Sequence, residues 1–233
     1  MYGFGYFNPS YFIFILPALL LAFYAQFKVK SAYAKWGQIR NERNLTGMDA
    51  ARIILGPEDL GDVQVEGVAG QLTDNYDPRT KILHLSQGVA QQPSVAALAV
   101  TAHEIGHALQ DHTNFAPLRL RGAIVPAVQV SAWVAPIMFF IGLIFNFAGL
   151  AWLGIILFSA GAVFALITLP VELDASRRGL HLLQTYNLTD GRELAGAKSV
   201  LSAAALTYVA ALAQTLATLL YYVSLLGGFG RRR

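Results

Sequence analysis

Long stretches without a charged side chain constrain this sequence more than any other feature. Residues 122–171 form a run of 50 residues with no Lys, Arg, Asp, Glu or His, and 11–27 and 203–226 are two further uncharged, apolar runs. About 20 apolar residues span a bilayer as a helix, so the longest run suits two helices joined by a turn at 146–149. In lipid, a helix satisfies its own backbone hydrogen bonds. The sequence therefore predicts a polytopic α-helical membrane protein with about four transmembrane helices.

The basic residues beside these runs predict the orientation of the chain. Residues 1–10 contain no Lys or Arg, whereas a cluster of basic residues follows the first run: Lys28, Lys30, Lys35, Arg40 and Arg43. This order is the opposite of that in a cleaved signal peptide, so we expect an uncleaved anchor with its N-terminus outside. The arginines that flank 122–171 then also lie in the cytoplasm: Arg119, Arg121, Arg177 and Arg178. We expect an integral protein of the plasma membrane whose polar segments face the cytoplasm.

Three arginines at 231–233 do not fit this arrangement, because a fourth crossing places them outside. Either the last apolar helix does not cross fully, or a short tail escapes the rule, or these residues are partly a remnant of cloning. The net charge of +3 is accounted for by basic residues that flank membrane helices, so we expect no nucleic-acid partner. The chain contains no Cys, which excludes disulfides and a thiol nucleophile.

Five segments follow from these runs. We expect an N-terminal transmembrane anchor and stalk helix (1–44), a cytoplasmic α+β segment (45–121), a transmembrane hairpin (122–171), a cytoplasmic segment (172–200) and a C-terminal transmembrane helix with its tail (201–233). Within 45–121, Thr46 is placed to cap a short helix that ends before Gly56 and Pro57. Valines and alternating residues over 62–85 predict a hairpin or a three-stranded sheet, with a turn at 74–79.

The α+β segment carries the pattern His-Glu-x-x-His at His103, Glu104 and His107. Residues four apart lie on one face of a helix, so the two imidazoles can bind one metal ion. Glu104 is rotated by about 100° from His103, which suits a general base that reaches a metal-bound water. The alternative is an ordinary buried helix, since small apolar residues surround the motif and Ser94 can cap it. Burying two histidines and a glutamate without partners is costly, however, and this favours a Zn²⁺ site.

A catalytic zinc has three protein ligands and one open position, so a third ligand is needed. Glu172 is the preferred candidate, because it follows the third predicted membrane helix on the cytoplasmic side, the same side as His103 and His107. Asp174 is the second candidate; otherwise it pairs with Arg178 or supports a ligand histidine. A third histidine ten residues after His103 is excluded, because that position is Thr113.

Four motifs together resemble the bacterial YugP-like neutral zinc metallopeptidases: residues 76–81, 103–108, 169–178 and 203–209. The similarity covers nearly the whole chain. It implies a membrane zinc peptidase with a small gluzincin-like α+β domain on the cytoplasmic side, one Zn²⁺ per chain, and Glu172 as third ligand. The chain is more distantly similar to HtpX-type membrane peptidases, in which a Glu-x-x-x-Asp motif supplies this glutamate. Here Ser176, not Asp, stands four residues after Glu172.

The residues above predict an endopeptidase that cleaves membrane or membrane-adjacent polypeptides at the cytoplasmic face, with Glu104 as general base and then acid. Tyr208 and His181 are candidate donors to the oxyanion, although Tyr208 also suits the lipid interface. Arg177 and Arg178 either bind a substrate carboxylate or simply flank the membrane. Two alternative functions stay open: a non-catalytic zinc-binding scaffold or sensor, and a zinc amidase that acts on a lipid-linked amide. The sequence does not indicate an oligomeric state.

Overall fold

The computed structural model describes residues 9–230 and the side chains of residues 11–227. Its elements in chain order are α1 (Pro9–Gly37), α2 (Gly47–Leu55), β1 (Gln64–Val68), β2 (Asn75–Asp77), β3 (Ile82–Ser86), α3 (Gln87–Gln91), α4 (Val95–His112), α5 (Ala116–Ile144), α6 (Ala148–Thr185) and α7 (Gly191–Gly230). The predictions about residues 1–8 and the arginines at 231–233 fall outside the described residues.

Four of these helices, α1, α5, α6 and α7, are long and apolar enough to cross a membrane. This agrees with the four predicted spans, and α5 and α6 are separated by residues 145–147, which overlap the predicted turn at 146–149 but begin one residue earlier. The chain divides into two compact units, with boundaries after Ala25, Arg119, Leu169 and Leu206. The residues that follow the first hydrophobic run thus belong with the α+β segment rather than with the anchor.

The membrane unit comprises the described parts of Met1–Ala25, Leu120–Leu169 and Thr207–Arg233. Its outer surface is apolar: the side chains of Trp133 and Ile144 are 79% and 73% exposed, which suits contact with lipid. Inside the unit, Phe139 is fully buried and stacks on Tyr222 with ring centroids 4.2 Å apart. The unit is therefore a helix assembly with an apolar exterior.

The second unit, which we call the α+β unit, comprises Gln26–Arg119 and Pro170–Leu206. Its core is aliphatic, and the largest fully buried side chains include Ile54, Leu83, Leu85, Leu98 and Ile105. The predicted cap of α2 is present, because Thr46 Oγ1 accepts from the backbone N–H of Asp49 at 3.2 Å. The predicted cap of α4 is present as well: Ser94 Oγ accepts from Ala97 N–H at 3.1 Å.

The predicted stalk helix was too long. It was expected to reach residue 44, but α1 ends at Gly37. Beyond that point the chain pairs with the segment before α4: Val95 N–H donates to Ile39 O, and Asn41 N–H donates to Pro93 O, both at 3.0 Å. Ile39 and Asn41 form these long-range hydrogen bonds in place of those that would continue α1. The same hydrogen bonds fix the position at which α4 starts.

The strands form a three-stranded sheet in the order β1-β3-β2. β1 lies parallel to β3, with Gln64 opposite Ile82, whereas β2 lies antiparallel to β3, with Tyr76 opposite Leu83. The expectation of a turn over 74–79 was wrong in its first half, because residues 75–77 form β2. A parallel β1–β3 pair also excludes a simple hairpin, so the three-stranded alternative is the one found.

Candidate metal centre

Helix α4 presents His103 and His107 on one face, as their spacing predicts. Their rings lie edge to face, with centroids 4.8 Å apart and an angle of 83° between the ring planes. Their side chains are only 13% and 12% exposed. Two imidazoles in a largely buried position need polar partners, because an unpaired polar group is costly away from water.

Helix α6 lies unusually close to α4 because two glycines remove the side chains that would separate them. A Cβ placed on Gly106, inside the His-Glu-x-x-His motif, would lie 2.4 Å from the carbonyl oxygen of Ala175. A Cβ placed on Gly179 would lie 2.8 Å from the carbonyl oxygen of Ala102. Small residues permit this kind of close helix contact. The contact brings the stretch of α6 that includes Glu172 onto the histidine face of α4.

Glu172 is the third member of the cluster, as predicted from its position in the sequence. Its Oε2 lies 3.4 Å from His103 Nε2 and 3.6 Å from His107 Nε2, and the residue is 3% exposed. Potential ligand atoms of the three residues all lie within 4.8 Å of one another. Two atoms bound at about 2.1 Å to a tetrahedral metal lie about 3.4 Å apart. The two histidine–glutamate distances therefore fit a zinc ion.

The electrostatics of the cluster also fit a cation. Burial alone would lower the pKa of the His107 imidazole, but the hydrogen bond that the imidazole donates to the Glu172 carboxylate and the charge of Glu104 outweigh burial and raise that pKa. The same two carboxylates that stabilise a protonated imidazole favour a divalent cation between the ligand atoms.

The nitrogen of His107 that faces away from Glu172 is fixed by a glutamine. Nδ1 of His107 lies 3.0 Å from Gln110 Oε1, while Gln110 Nε2 donates to Val171 O at 2.8 Å and to Asp174 Oδ2 at 3.0 Å. Because the amide nitrogen faces two acceptors, its oxygen must face the histidine and accept from Nδ1–H. The ring therefore presents Nε2, unprotonated, to a metal.

His103 has a corresponding partner on α6. Its Nδ1 lies 3.1 Å from Ser176 Oγ, which can accept the Nδ1–H proton. Ser176 is the position at which the Glu-x-x-x-Asp motif would have an aspartate. In this chain the hydroxyl occupies that position, so the histidine keeps a hydrogen-bond partner without an additional negative charge.

Glu104 is buried beside the cluster. Its Oε2 accepts the backbone N–H of Tyr76, in β2, at 3.0 Å. Burial raises the pKa of this carboxyl; the two histidines oppose the shift, and the charges of Glu172 and Asp74 add to it. A carboxylate with a raised pKa is a stronger base, which suits a residue that removes a proton from water.

The other predicted residues have different surroundings. Asp174 pairs with Arg178 at 2.6 Å and with Arg177, and through Gln110 it reaches His107. It is not part of the cluster of His103, His107 and Glu172, which favours the supporting role over the ligand role. His181 contacts Thr185 on α6, and Tyr208 lies on α7 within the membrane unit. Their proposed contact with an oxyanion stays a prediction.

Sequence reasoning missed three groups that contact the cluster: Gln110, Ser176 and the backbone of Tyr76. Gln110 follows His107 by three residues and Ser176 follows Glu172 by four, so helical spacing alone places each beside a ligand. This helical spacing can be read from the sequence, so the roles of Gln110 and Ser176 could have been predicted. The Tyr76 contact depends on how β2 packs against α4, and no local pattern indicates it.

Two comparisons with known proteins return a match. The family model described as "Putative neutral zinc metallopeptidase" matches residues 11–227. The protein named "Putative membrane protease YugP" from Bacillus subtilis (strain 168) is 45% identical over 213 residues, which cover 91% of this chain and 95% of that protein. No solved structure matches the chain.

Proposed function

Because the chain belongs to the neutral zinc metallopeptidase family, we propose that it is a membrane-embedded zinc endopeptidase that cleaves membrane or membrane-adjacent polypeptides. The family relationship confirms the resemblance indicated by the four motifs. The observation that carries the proposal is the cluster of His103, His107 and Glu172 with a buried carboxylate, Glu104, beside it. Three ligands of this kind leave the fourth position of a tetrahedral metal to water or substrate.

In this mechanism the residues around the metal site have distinct roles. A zinc ion in the cluster would polarise the scissile carbonyl and lower the pKa of water. Glu104 would accept a proton from that water on Oε1, since Oε2 is held by the Tyr76 N–H, and would then donate the proton to the departing amine. Gln110 and Ser176 keep both imidazole rings oriented with Nε2 towards the metal.

A cavity beside the cluster offers room for part of a substrate. It has a volume of about 630 Å³ and lies within the α+β unit, between α6 and α7. Its lining includes three leucines and basic side chains such as Arg177 and Lys198. Ser176 also lines it, and the same residue contacts His103. Its volume is typical of ligand pockets, which occupy about 300–1,000 Å³. We propose that a substrate side chain next to the scissile bond occupies it.

The test of catalysis is cleavage of an unfolded reporter protein by the detergent-purified full chain. Glu104→Gln should lose at least about 100-fold in rate, the usual contribution of a general base, while retaining zinc. Glu66→Gln, an exposed glutamate on β1, is the matched control and should retain full activity. Equal rates for Glu104→Gln and wild type would contradict the mechanism and favour a non-catalytic zinc-binding scaffold. Cleavage of lipid-linked amides but not of protein would favour the amidase.

We further propose that the α+β unit faces the cytoplasm, because basic residues follow the first apolar run and flank the membrane hairpin. The chain has no cysteine, so a single Glu66→Cys variant provides a unique label site. A membrane-impermeant maleimide should modify it in opened membranes but not in intact cells. Labelling in intact cells would place the unit outside.

A further inference from the structure

A second cavity lies between α1 and α7, within the α+β unit and separate from the metal cluster. Its volume is about 210 Å³, and its polar lining consists of two lysines, three serines and a tryptophan: Lys28, Lys35, Ser31, Ser199, Ser202 and Trp36. We call it the α1–α7 cavity. At about 30 Å³ per water molecule it has room for the equivalent of about seven waters, enough for a small polar group but not for a whole lipid.

One side of this cavity is formed by Trp36, which packs tightly against α7. Trp36 is 9% exposed, and a Cβ placed on Gly196 would lie 2.5 Å from its ring atom Cε3. Glycine at 196 therefore allows α7 to lie directly against the indole. The ammonium group of Lys35 lies 5.1 Å from the centre of the same ring, a distance that favours a cation–π contact. The tryptophan thus positions one of the two lysines.

The ends of the apolar runs on α1 and α7 indicate the level of the cavity relative to a bilayer. On α1 the apolar run 11–27 ends directly before Lys28, and on α7 the uncharged stretch that contains the apolar run 203–226 begins directly after Lys198. The polar lining of the cavity lies where the two hydrophobic segments end. That is the level of lipid headgroups, where tryptophan and lysine are enriched.

The positive charge of the residues that line the cavity favours an anionic ligand. Among the described residues that line the cavity, two carry a positive charge and none carries a negative charge. The hydroxyls of three serines can donate hydrogen bonds to the same group. Basic pockets between membrane helices are suited to lipid phosphates.

We propose that the α1–α7 cavity binds the phosphodiester of an anionic phospholipid. In a lipid with a monoanionic headgroup, such as phosphatidylglycerol, the negative charge of the phosphodiester can interact with the two lysines. A choline headgroup brings a cation of its own towards them and is disfavoured. The site requires only that the chain lies in a membrane, and it is independent of whether the protein is a peptidase.

The test uses the delipidated full chain in detergent, titrated with phosphatidylglycerol or phosphatidylcholine, with bound lipid counted by native mass spectrometry. Wild type should prefer phosphatidylglycerol. Each lysine near a membrane surface contributes about fivefold to the binding of anionic lipid, so the double variant Lys28→Gln/Lys35→Gln should lose about 25-fold. The double variant Lys28→Arg/Lys35→Arg should retain the preference. Lys30→Gln removes one charge from the same helix outside the cavity, and it should also retain it.

Competition experiments identify the ligand. Inorganic phosphate at matched concentration should not displace the lipid, and neither should a soluble acidic peptide. Displacement by phosphate would show a general oxyanion site, and displacement by the peptide would show a protein-binding surface; either result would overturn the proposal. So would an equal loss of binding in Lys30→Gln and in the double glutamine variant, because the effect would then come from net charge alone.

Discussion

Replacing Gly106 with alanine separates two opposing effects in one helix. In isolation, Gly→Ala inside a helix is favourable by about 0.5–1 kcal/mol. In this structure the new Cβ would lie 2.4 Å from the backbone carbonyl oxygen of Ala175, whereas ordinary contacts begin at 3.4 Å. Helices α4 and α6 would have to separate by about 1 Å, because the contacted atom belongs to the backbone and cannot rotate away. Overpacking of this kind costs about 1–3 kcal/mol.

The same separation of α4 and α6 should also move Glu172 away from His103 and His107. Glu172 Oε2 now lies 3.4 and 3.6 Å from the two imidazole nitrogens, and metal–ligand bonds tolerate deviations of about 0.2 Å. A 1 Å movement of α6 therefore removes Glu172 from the ligand set unless its side chain follows. We expect zinc affinity to fall by at least about 10–100-fold, the range seen when supporting groups are mutated.

Zinc affinity is measured by competition with a chromophoric chelator, and stability is measured by thermal unfolding in detergent. Gly122→Ala on α5 is the control, because no atom outside the helix lies within 4 Å of the added Cβ. It should leave zinc affinity unchanged and should not destabilise the protein. If Gly106→Ala bound zinc as tightly as wild type and unfolded at the same or a higher temperature, the argument from helix contact would be refuted.

Two further predictions concern hydrogen bonds that local spacing creates. Gln110→Ala should weaken zinc binding more than Ser176→Ala. Gln110 is fully buried, so its loss leaves Val171 O and Asp174 without their hydrogen-bond donor in a place that water does not reach, whereas water can replace the hydroxyl of the half-buried Ser176. Equal losses of zinc affinity in the chelator assay would contradict this ranking. Asp49→Asn should destabilise the protein by about 0.3–1 kcal/mol at neutral pH, the usual value of an acidic side chain in the first turn of a helix. Its hydrogen bonds with Thr46 lower the pKa of the Asp49 carboxyl below 3.8, so this stabilisation is present above 3.8 and is lost as pH falls through the folded-state pKa. A thermal-unfolding difference between Asp49→Asn and wild type that persisted at acid pH would contradict the assignment.

The parts of the fold that the sequence predicts correctly depend on composition and local spacing. The absence of charge over 122–171 is sufficient to predict two membrane helices, since a lipid environment admits few alternatives. The cap residues Thr46 and Ser94 act within three residues of themselves, so their roles can be read from the local sequence. Glu172 was found through a topological argument, because two crossings return the chain to the side that it left.

The parts that the sequence misses depend on contacts between distant residues. Residues 74–78 consist of Asp, Asn, Tyr, Asp and Pro, which is typical of a turn. Residues 75–77 nevertheless form β2, because they pair with β3 and the N–H of Tyr76 donates to Glu104, 28 residues away in sequence. Likewise α1 stops at Gly37 because residues 39–41 hydrogen-bond with 93–95. In both places tertiary hydrogen bonds override the local preference.

Close helix contact through glycine links the fold of the α+β unit to its chemistry. A helix pair separated by ordinary side chains has its axes about 8–10 Å apart, and a glutamate on one helix then has to extend towards histidines on the other. Here Gly106 lies between the two histidines of the motif, and Gly179 lies seven residues after Glu172, two turns along the same helix. These two glycines let the α4 and α6 backbones touch at two levels, so Glu172 reaches both imidazoles from a buried position. Glycine at the fourth position of His-Glu-x-x-His is therefore part of what brings Glu172 to the two histidines, although it contributes no potential ligand atom itself.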